Sequence, residues 1–210
     1  MNAVESTRIA EMLTPFAGKD PLSAEVVDGL KLYLDLLLRW NARINLTAVR
    51  GAEQIVARHF GESLFAATLL LNQSPITLAD VGSGAGFPGV PMKLWAPQNS
   101  VTLIESQQKK ATFLREVLRT LKLDAAEVFC GRAEEWPKTA DVVSLRAVEK
   151  FERVLPVAAR LVAPGGRLCL LIGGKQLTKA RELVTEPFTW HDAVAIPQSA
   201  GRVVAVAARR

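Results

Sequence analysis

The hydrophobic rhythm of the chain changes once, near residue 75. Before that point apolar residues recur every three or four positions, at Val26, Val27, Leu30, Leu34, Leu37 and Leu38, with Asp28, Lys31 and Asp35 among the polar positions between them. That spacing lays one apolar stripe along a helix. A second helix is expected over about 53–71, where Ile55, Phe60, Leu64 and Leu71 supply an apolar face. Asn72-Gln73-Ser74-Pro75 then breaks the pattern.

From Ile76 onward, short apolar runs alternate with amphipathic stretches. Strands are expected at 76–81, 100–105, 126–130, 140–145 and 167–173. Lys109–Leu121 reads as a helix with Leu114, Val117, Leu118 and Leu121 facing inward. Lys150–Leu161 reads as another, stopped by the turn Ala163-Pro164-Gly165-Gly166 that feeds the fifth strand. Such alternation predicts a mostly parallel, doubly wound sheet with right-handed crossovers. Phe188–Ile196 and Arg202–Ala208, separated by Pro197-Gln198-Ser199-Ala200-Gly201, are expected to close its edge as an antiparallel hairpin. The expected architecture is thus α/β, with a helical extension over 1–75 and a sheet domain over 76–210, joined in one compact unit.

Composition narrows the class. The 210 residues are 49% apolar and 22% charged, as in a soluble globular protein. No apolar run approaches the length of a membrane span, and Met1-Asn2-Ala3-Val4-Glu5 lacks the start of a secretion signal. Two cysteines, Cys130 and Cys169, form no CxxC pair, so neither a disulfide framework nor a zinc or other metal site is indicated. Cytoplasmic residence is expected. A formal charge of +5 leans mildly toward a polyanionic partner.

The chemistry concentrates after the first strand, in Asp80-Val81-Gly82-Ser83-Gly84-Ala85-Gly86-Phe87-Pro88-Gly89. Glycines let a ligand lie against bare backbone, and a following helix offers free N–H groups. Gly84 to Gly89 formally fits the dinucleotide pattern GxGxxG. Counted from Gly82, where the turn begins, the loop is GxGxG, and Phe87 takes the position where a dehydrogenase needs a small residue. Glu105 ends the second strand, 19 positions after Gly86, where a carboxylate can accept ribose hydroxyls or can simply be a solvated strand-end acid. Gly131-Arg132-Ala133-Glu134-Glu135 follows the third strand, as a cofactor loop or as an ordinary helix start.

An acid near the end of strand one, GxGxG, and an acid ending strand two together resemble the class I S-adenosylmethionine-dependent methyltransferases, whose sheet has seven strands. Phe87-Pro88, intruding at the helix start, suits a nucleoside with an uncharged tail better than a pyrophosphate. Further residues narrow the resemblance: Trp40-Asn41-Ala42-Arg43-Ile44-Asn45-Leu46-Thr47, Arg58-His59-Phe60-Gly61-Glu62-Ser63-Leu64, Phe87-Pro88-Gly89-Val90-Pro91, and Ser144-Leu145-Arg146-Ala147-Val148. This set is similar to the RsmG (GidB) family of bacterial rRNA guanine-N7 methyltransferases, over nearly the whole chain. The resemblance implies methylation of N7 of one guanine in 16S rRNA (guanine 527 of that RNA). It implies S-adenosylmethionine as cofactor, the small ribosomal subunit or an assembly intermediate as partner, no membrane, and a monomer. Cofactor contacts are implied at Gly82, Gly84, Gly86, Phe87, Glu105, Ser106, Gln107, Ala133, Glu134 and Arg146. The chain departs from the family in having Glu62 where Asp is usual, and in placing Lys175 slightly later after the fifth strand than the family's lysine.

Guanine N7 carries an in-plane lone pair and no proton, so its methylation needs alignment rather than a general base. No Pro-Pro dipeptide occurs, hence no motif of the amino-methylating kind. Cys130 is expected as a small core residue rather than a nucleophile. Arg146, ending the fourth strand, is the expected positioning group at the crevice mouth, reaching the cofactor carboxylate, a phosphate or a guanine O6. His59 faces the site or serves as a hydrogen-bonded structural residue, and His191 is expected to be inert. Asn41 and Asn45 are helix-ending residues or ligands. Scattered cations, among them Arg8, Arg39, Arg43, Arg50, Arg58, Lys109, Lys110, Arg115, Lys175, Lys179 and Arg181, are candidates for phosphate contacts. A methyltransferase for another substrate, a nicotinamide-dependent oxidoreductase and a non-catalytic RNA-binding protein are the competing functions.

Overall fold

The computed structural model describes residues 4–19, 21–71 and 75–210, so the expected break at Asn72-Gln73-Ser74 lies outside the described residues. Five strands lie parallel: β1 (Thr77–Val81), β2 (Ser100–Glu105), β3 (Ala126–Cys130), β4 (Ala140–Arg146) and β5 (Val162–Gly173). Three antiparallel strands complete the edge: β6 (Phe188–Trp190), β7 (Val194–Ala195) and β8 (Arg202–Arg209). The order is β3-β2-β1-β4-β5-β8-β6, with β7 also on β8. Chain progression reverses between β1 and β4, which puts a crevice at their carboxyl ends.

Two differences from the sequence expectation are local. The strand expected over 188–196 is split at 191–193 into β6 and β7, so among the described residues the sheet counts eight strands rather than seven. Both pieces pair only with β8, and an edge strand tolerates such a break because one side of its ladder needs no partner. Ala163–Gly166 is not a turn outside the sheet but part of β5, passed by a register irregularity against β4.

The two faces of the sheet are covered by different parts of the chain. Leu78, Leu103, Val142 and Leu171 pack with the N-terminal helices, α1 (Ser6–Leu13) and α2 (Ala24–Asn41). Ala79, Val81, Val143 and Leu170 pack on the opposite side under α7 (Phe151–Arg160) and α8 (Lys175–Leu183). Alternate residues of one strand therefore feed two separate cores, which is why these strands read as nearly continuous apolar runs. The N-terminal face also includes α5 (Gly89–Trp95) and α6 (Gln108–Thr120).

The helix expected over 53–71 is present but not uniform. It begins as α3 (Ala52–Ile55), widens into a π-helical stretch over Val56–Gly61, and ends as α4 (Glu62–Leu70). A π turn moves side chains off the regular 3.6-residue faces, and such turns recur at functional sites. Here it turns His59 and Phe60 into the core while leaving Arg58 exposed.

Candidate cofactor and substrate site

Below the carboxyl ends of β1, β2 and β4 lies a cleft of about 340 Å³. Gly82 forms its floor with φ +68, and a Cβ built there would lie 2.8 Å from Val148 Cγ1. The Gly82–Gly86 turn is held from outside. Gly82 and Ser83 donate their N–H groups to the Ile104 carbonyl at 2.9 and 3.0 Å. Gly84 N–H donates to Glu105 Oε2 at 2.9 Å, and Tyr33, fully buried on α2, donates its hydroxyl to the Ala85 carbonyl. Tyr33 stacks on Phe60 at 5.3 Å between ring centroids.

Glu105 is 5% exposed and holds two loops at once. Oε2 takes Gly84 N–H, while Oε1 takes Gln107 N–H at 2.7 Å. Each oxygen keeps a free lone pair, so the carboxylate can still accept hydroxyl hydrogens from a ligand. Ser106, Gln107, Ala133 and Glu134, which the resemblance implies as cofactor contacts, line the same cleft. Ala147, Val148, Glu149, Lys150, Arg153 and Val154 line it too, a wall the sequence did not reveal. Lys150 is positioned by an unusual φ of +56 at the start of α7.

Asp80, immediately before the loop, is fully buried behind it. Its Oδ1 accepts from Ser144 Oγ at 2.8 Å and its Oδ2 from Gly89 N–H at 3.1 Å. Burial raises its pKa from 3.8 to about 6, partly offset by these hydrogen bonds. It braces β1 against β4 and α5 and does not line the cleft.

Two expected contacts are placed differently. Phe87 does not obstruct the start of α5: its ring is 5% exposed and packs at 4.7 Å on His59, within the cluster of Tyr33 and Phe60. Apolar burial outweighs exposure for a ring with so many aromatic neighbours. Arg146 is not free at the crevice mouth. It is 7% exposed, donates to Glu62 Oε2 from Nε at 3.2 Å and from Nη2 at 2.9 Å, and lies 5.8 Å over the Phe87 ring. Desolvation lowers its pKa, against the pull of Glu62. Neither side chain, nor Gly84 or Gly86, lines the 340 Å³ cleft itself.

Arg146 Nη2 also lies 2.8 Å from His59 Nδ1. A guanidinium only donates, so Nδ1 is unprotonated and the proton sits on Nε2, which donates to Thr47 Oγ1 at 2.7 Å. His59 is thereby the structural residue of the two alternatives. Burial first, then Arg146, Arg58 and Arg202, lowers its pKa from 6.5 to about 2. Asn41 is helix-ending: its Oδ1 accepts from Leu46 and Thr47 N–H at 2.9 and 3.1 Å. Cys130 is half-buried at the end of β3, with Sγ 3.0 Å from Gln108 Oε1, because an edge strand leaves one side uncovered. Cys169 is the core thiol, its pKa pushed well up by burial. Among the described residues no metal-binding cluster of His, Cys, Asp and Glu occurs, and no helix is long and apolar enough to cross a membrane.

A doubly wound sheet, a glycine turn after β1 and a carboxylate ending β2 define the class I S-adenosylmethionine-dependent methyltransferase fold. Solved structures agree. A predicted O-methyltransferase from Agrobacterium tumefaciens matches with a TM-score of 0.61 at 19% identity, over 70% of this chain and 80% of that one. TYW2 of M. jannaschii, in complex with AdoMet, matches with a TM-score of 0.58 at 17% identity, over 80% and 78%. Closer similarity lies in sequence. The family model for rRNA small subunit methyltransferase G matches residues 27–200. Ribosomal RNA small subunit methyltransferase G of Xanthomonas campestris pv. campestris (strain B100) is 39% identical over 171 residues, 80% of this chain and 78% of the relative. The chain belongs to the rRNA small subunit methyltransferase G family and is a methyltransferase of small-subunit ribosomal RNA.

Proposed function

We propose that the chain transfers a methyl group from S-adenosylmethionine to N7 of a single guanine in 16S rRNA, as a monomeric cytoplasmic enzyme acting on the small ribosomal subunit or its assembly intermediate. The observation that carries the reading is the Gly82–Gly86 turn fixed by Glu105 beside an open cleft. The residues present fit the cofactor: the space a Cβ at Gly82 would take is kept clear, and Glu105 retains acceptor capacity for ribose hydroxyls. Gly82 backbone and Glu105 would hold the nucleoside, with Ser106, Gln107, Ala133 and Glu134 around the base. When bound, the cofactor supplies a methyl group on a sulfonium sulfur.

N7 attacks with its own lone pair, so the protein's task is alignment, a contribution that reaches roughly 7–11 kcal/mol in well-oriented systems. Arg146 serves as a positioning residue. Clamped by Glu62, it fixes the end of β4 and the Ala147–Val148 wall against which the reacting groups must line up.

The test supplies labelled S-adenosylmethionine and the protein to small subunits from cells lacking this activity. The expected result is close to one methyl per subunit, at a guanine whose ribose link is cut after borohydride and aniline, the behaviour of N7-methylguanosine. Label on another atom or base overturns the specificity, and no label overturns the substrate.

A further inference from the structure

A second cleft, about 350 Å³, opens on the far side of the Arg146–Glu62 pair, between the π-helical stretch and the loop ahead of β8. Ala57, Phe16, Pro197 and Ala200 give it apolar walls, while Arg58, Glu62 and Arg202 bring charge. Glu62 is the sole acid of the group, and it is already engaged on both sides. Oε2 pairs with Arg146 at 2.9 Å, and Oε1 lies 2.7 Å from Arg202 Nε. The second contact is off the hydrogen-bond axis, so the enclosed Arg202 Nε–H has no hydrogen-bond acceptor. Arg58 is exposed and takes part in none of the ion pairs among the described residues. Three guanidiniums thus face one carboxylate, and the neighbouring His59 is neutral. Arg146 and Arg202 share the single carboxylate of Glu62, and Arg58 has no ion-pair partner among the described residues, so the cleft keeps an excess of positive charge that suits an anion.

We infer that this cleft receives a phosphate of the RNA strand next to the target guanine, held between Arg58 and Arg202. Arg202 sits opposite Gly173 on β5, and β8 lies two strands from β4. Two strand spacings are about 10 Å, within reach of a neighbouring nucleotide once the target base is turned toward the cofactor cleft. Planar guanidiniums suit phosphate through paired N–H donors. The inference rests on the rRNA reading above.

The test uses the full chain with Arg58→Ala and Arg58→Glu, and unmethylated small subunits as the probe. Arg58 is exposed and only its backbone carbonyl is used by Arg146, so both variants are expected to fold and to bind S-adenosylmethionine like the wild type. The KM for subunits is expected to rise roughly tenfold or more, further for Glu than for Ala. The slope of log affinity against log salt is expected to fall by about 0.7 for one lost single-strand contact. An unchanged KM and slope in both variants overturn the inference. If the wild type does not methylate subunits, the rRNA reading falls separately. Affinity for a short single-stranded RNA then decides the cleft: a loss on Arg58→Glu supports it, and equal affinity overturns it.

Discussion

His59 offers the sharpest check on the charge arrangement behind the site. Its ring is buried, its Nδ1 faces an arginine N–H at 2.8 Å, and its pKa falls from 6.5 to about 2. Because the folded pKa is depressed, the unfolded chain takes up a proton below pH 6.5 that the folded chain refuses. Stability from this residue is therefore complete above pH 6.5 and is lost as pH falls toward 2. Each pH unit is worth about 1.4 kcal/mol, so acidification from 7.5 to 4.5 removes on the order of 2–3 kcal/mol, a large share of the 5–15 kcal/mol typical of a domain. Asp80 acts in the opposite sense. Its pKa is raised to about 6, so its contribution is complete below 3.8 and is lost as pH rises through 6. Between about pH 4 and 6 the two slopes oppose each other, and the wild type alone would hide both. The assay is therefore urea unfolding of the wild type and His59→Gln at pH 7.5 and 4.5. The stability gap between them is expected to move by roughly 2–3 kcal/mol in favour of the variant at the lower pH. A gap that is the same at both pH values would refute a neutral, arginine-faced His59.

Glu62→Ala strands two enclosed guanidiniums and is expected to cost about 3–5 kcal/mol, lowering Tm by roughly 6–20 °C. Arg146→Ala leaves Glu62 still paired with Arg202 and is expected to melt higher than Glu62→Ala, as differential scanning calorimetry would show. Gly82→Ala meets both a φ of +68 and Val148 at 2.8 Å, so S-adenosylmethionine affinity measured by calorimetry is expected to fall at least tenfold. Gly84→Ala has only its φ of +58 against it, with the nearest atom at 3.8 Å, and is expected to cost about 1–2 kcal/mol of stability. Tyr33→Phe leaves the Ala85 carbonyl without its hydroxyl donor and is expected to cost about 1–3 kcal/mol in urea unfolding.

The sheet was legible because its strands are buried on both faces, so Thr77–Val81 or Ser100–Glu105 stand out as short apolar runs bounded by breakers. The cleft beside β1 and β2 was legible for a similar reason: glycines at fixed spacing and an acid at a strand end are local signals. What was not legible is long-range. Glu62 and Arg146 are 84 positions apart, and nothing near either names its partner. The π stretch was equally silent, since α4 is apolar nearly all the way round and offers no single stripe whose shift could betray an extra residue per turn. Arg202 looked like the polar start of an edge strand. Tyr33 left one faint trace, as the chain's only tyrosine set within a stripe of leucine and valine.

A loop that must lie bare against a ligand can stiffen itself only through its own backbone, because added side chains would fill the ligand's place. Here the Ser83 carbonyl accepts from Gly86 and Phe87 N–H at 2.7 and 3.1 Å, and further support comes from neighbouring elements. The Ile104 carbonyl and the Glu105 carboxylate hold the first half of the turn from β2, and Tyr33 holds the second half from α2. A Cβ at Gly86 would lie 2.6 Å from the Tyr33 hydroxyl, so this glycine makes room for the helix rather than for a ligand. The glycines of the turn therefore divide their work: Gly82 keeps the cleft clear, and Gly86 admits the residue that holds the turn still. The N-terminal helices carry that residue, and the same layer carries Glu62 for Arg146. Fold and cleft are thus built from one set of contacts, and on the proposed reading a preorganised turn is what those helices contribute to catalysis.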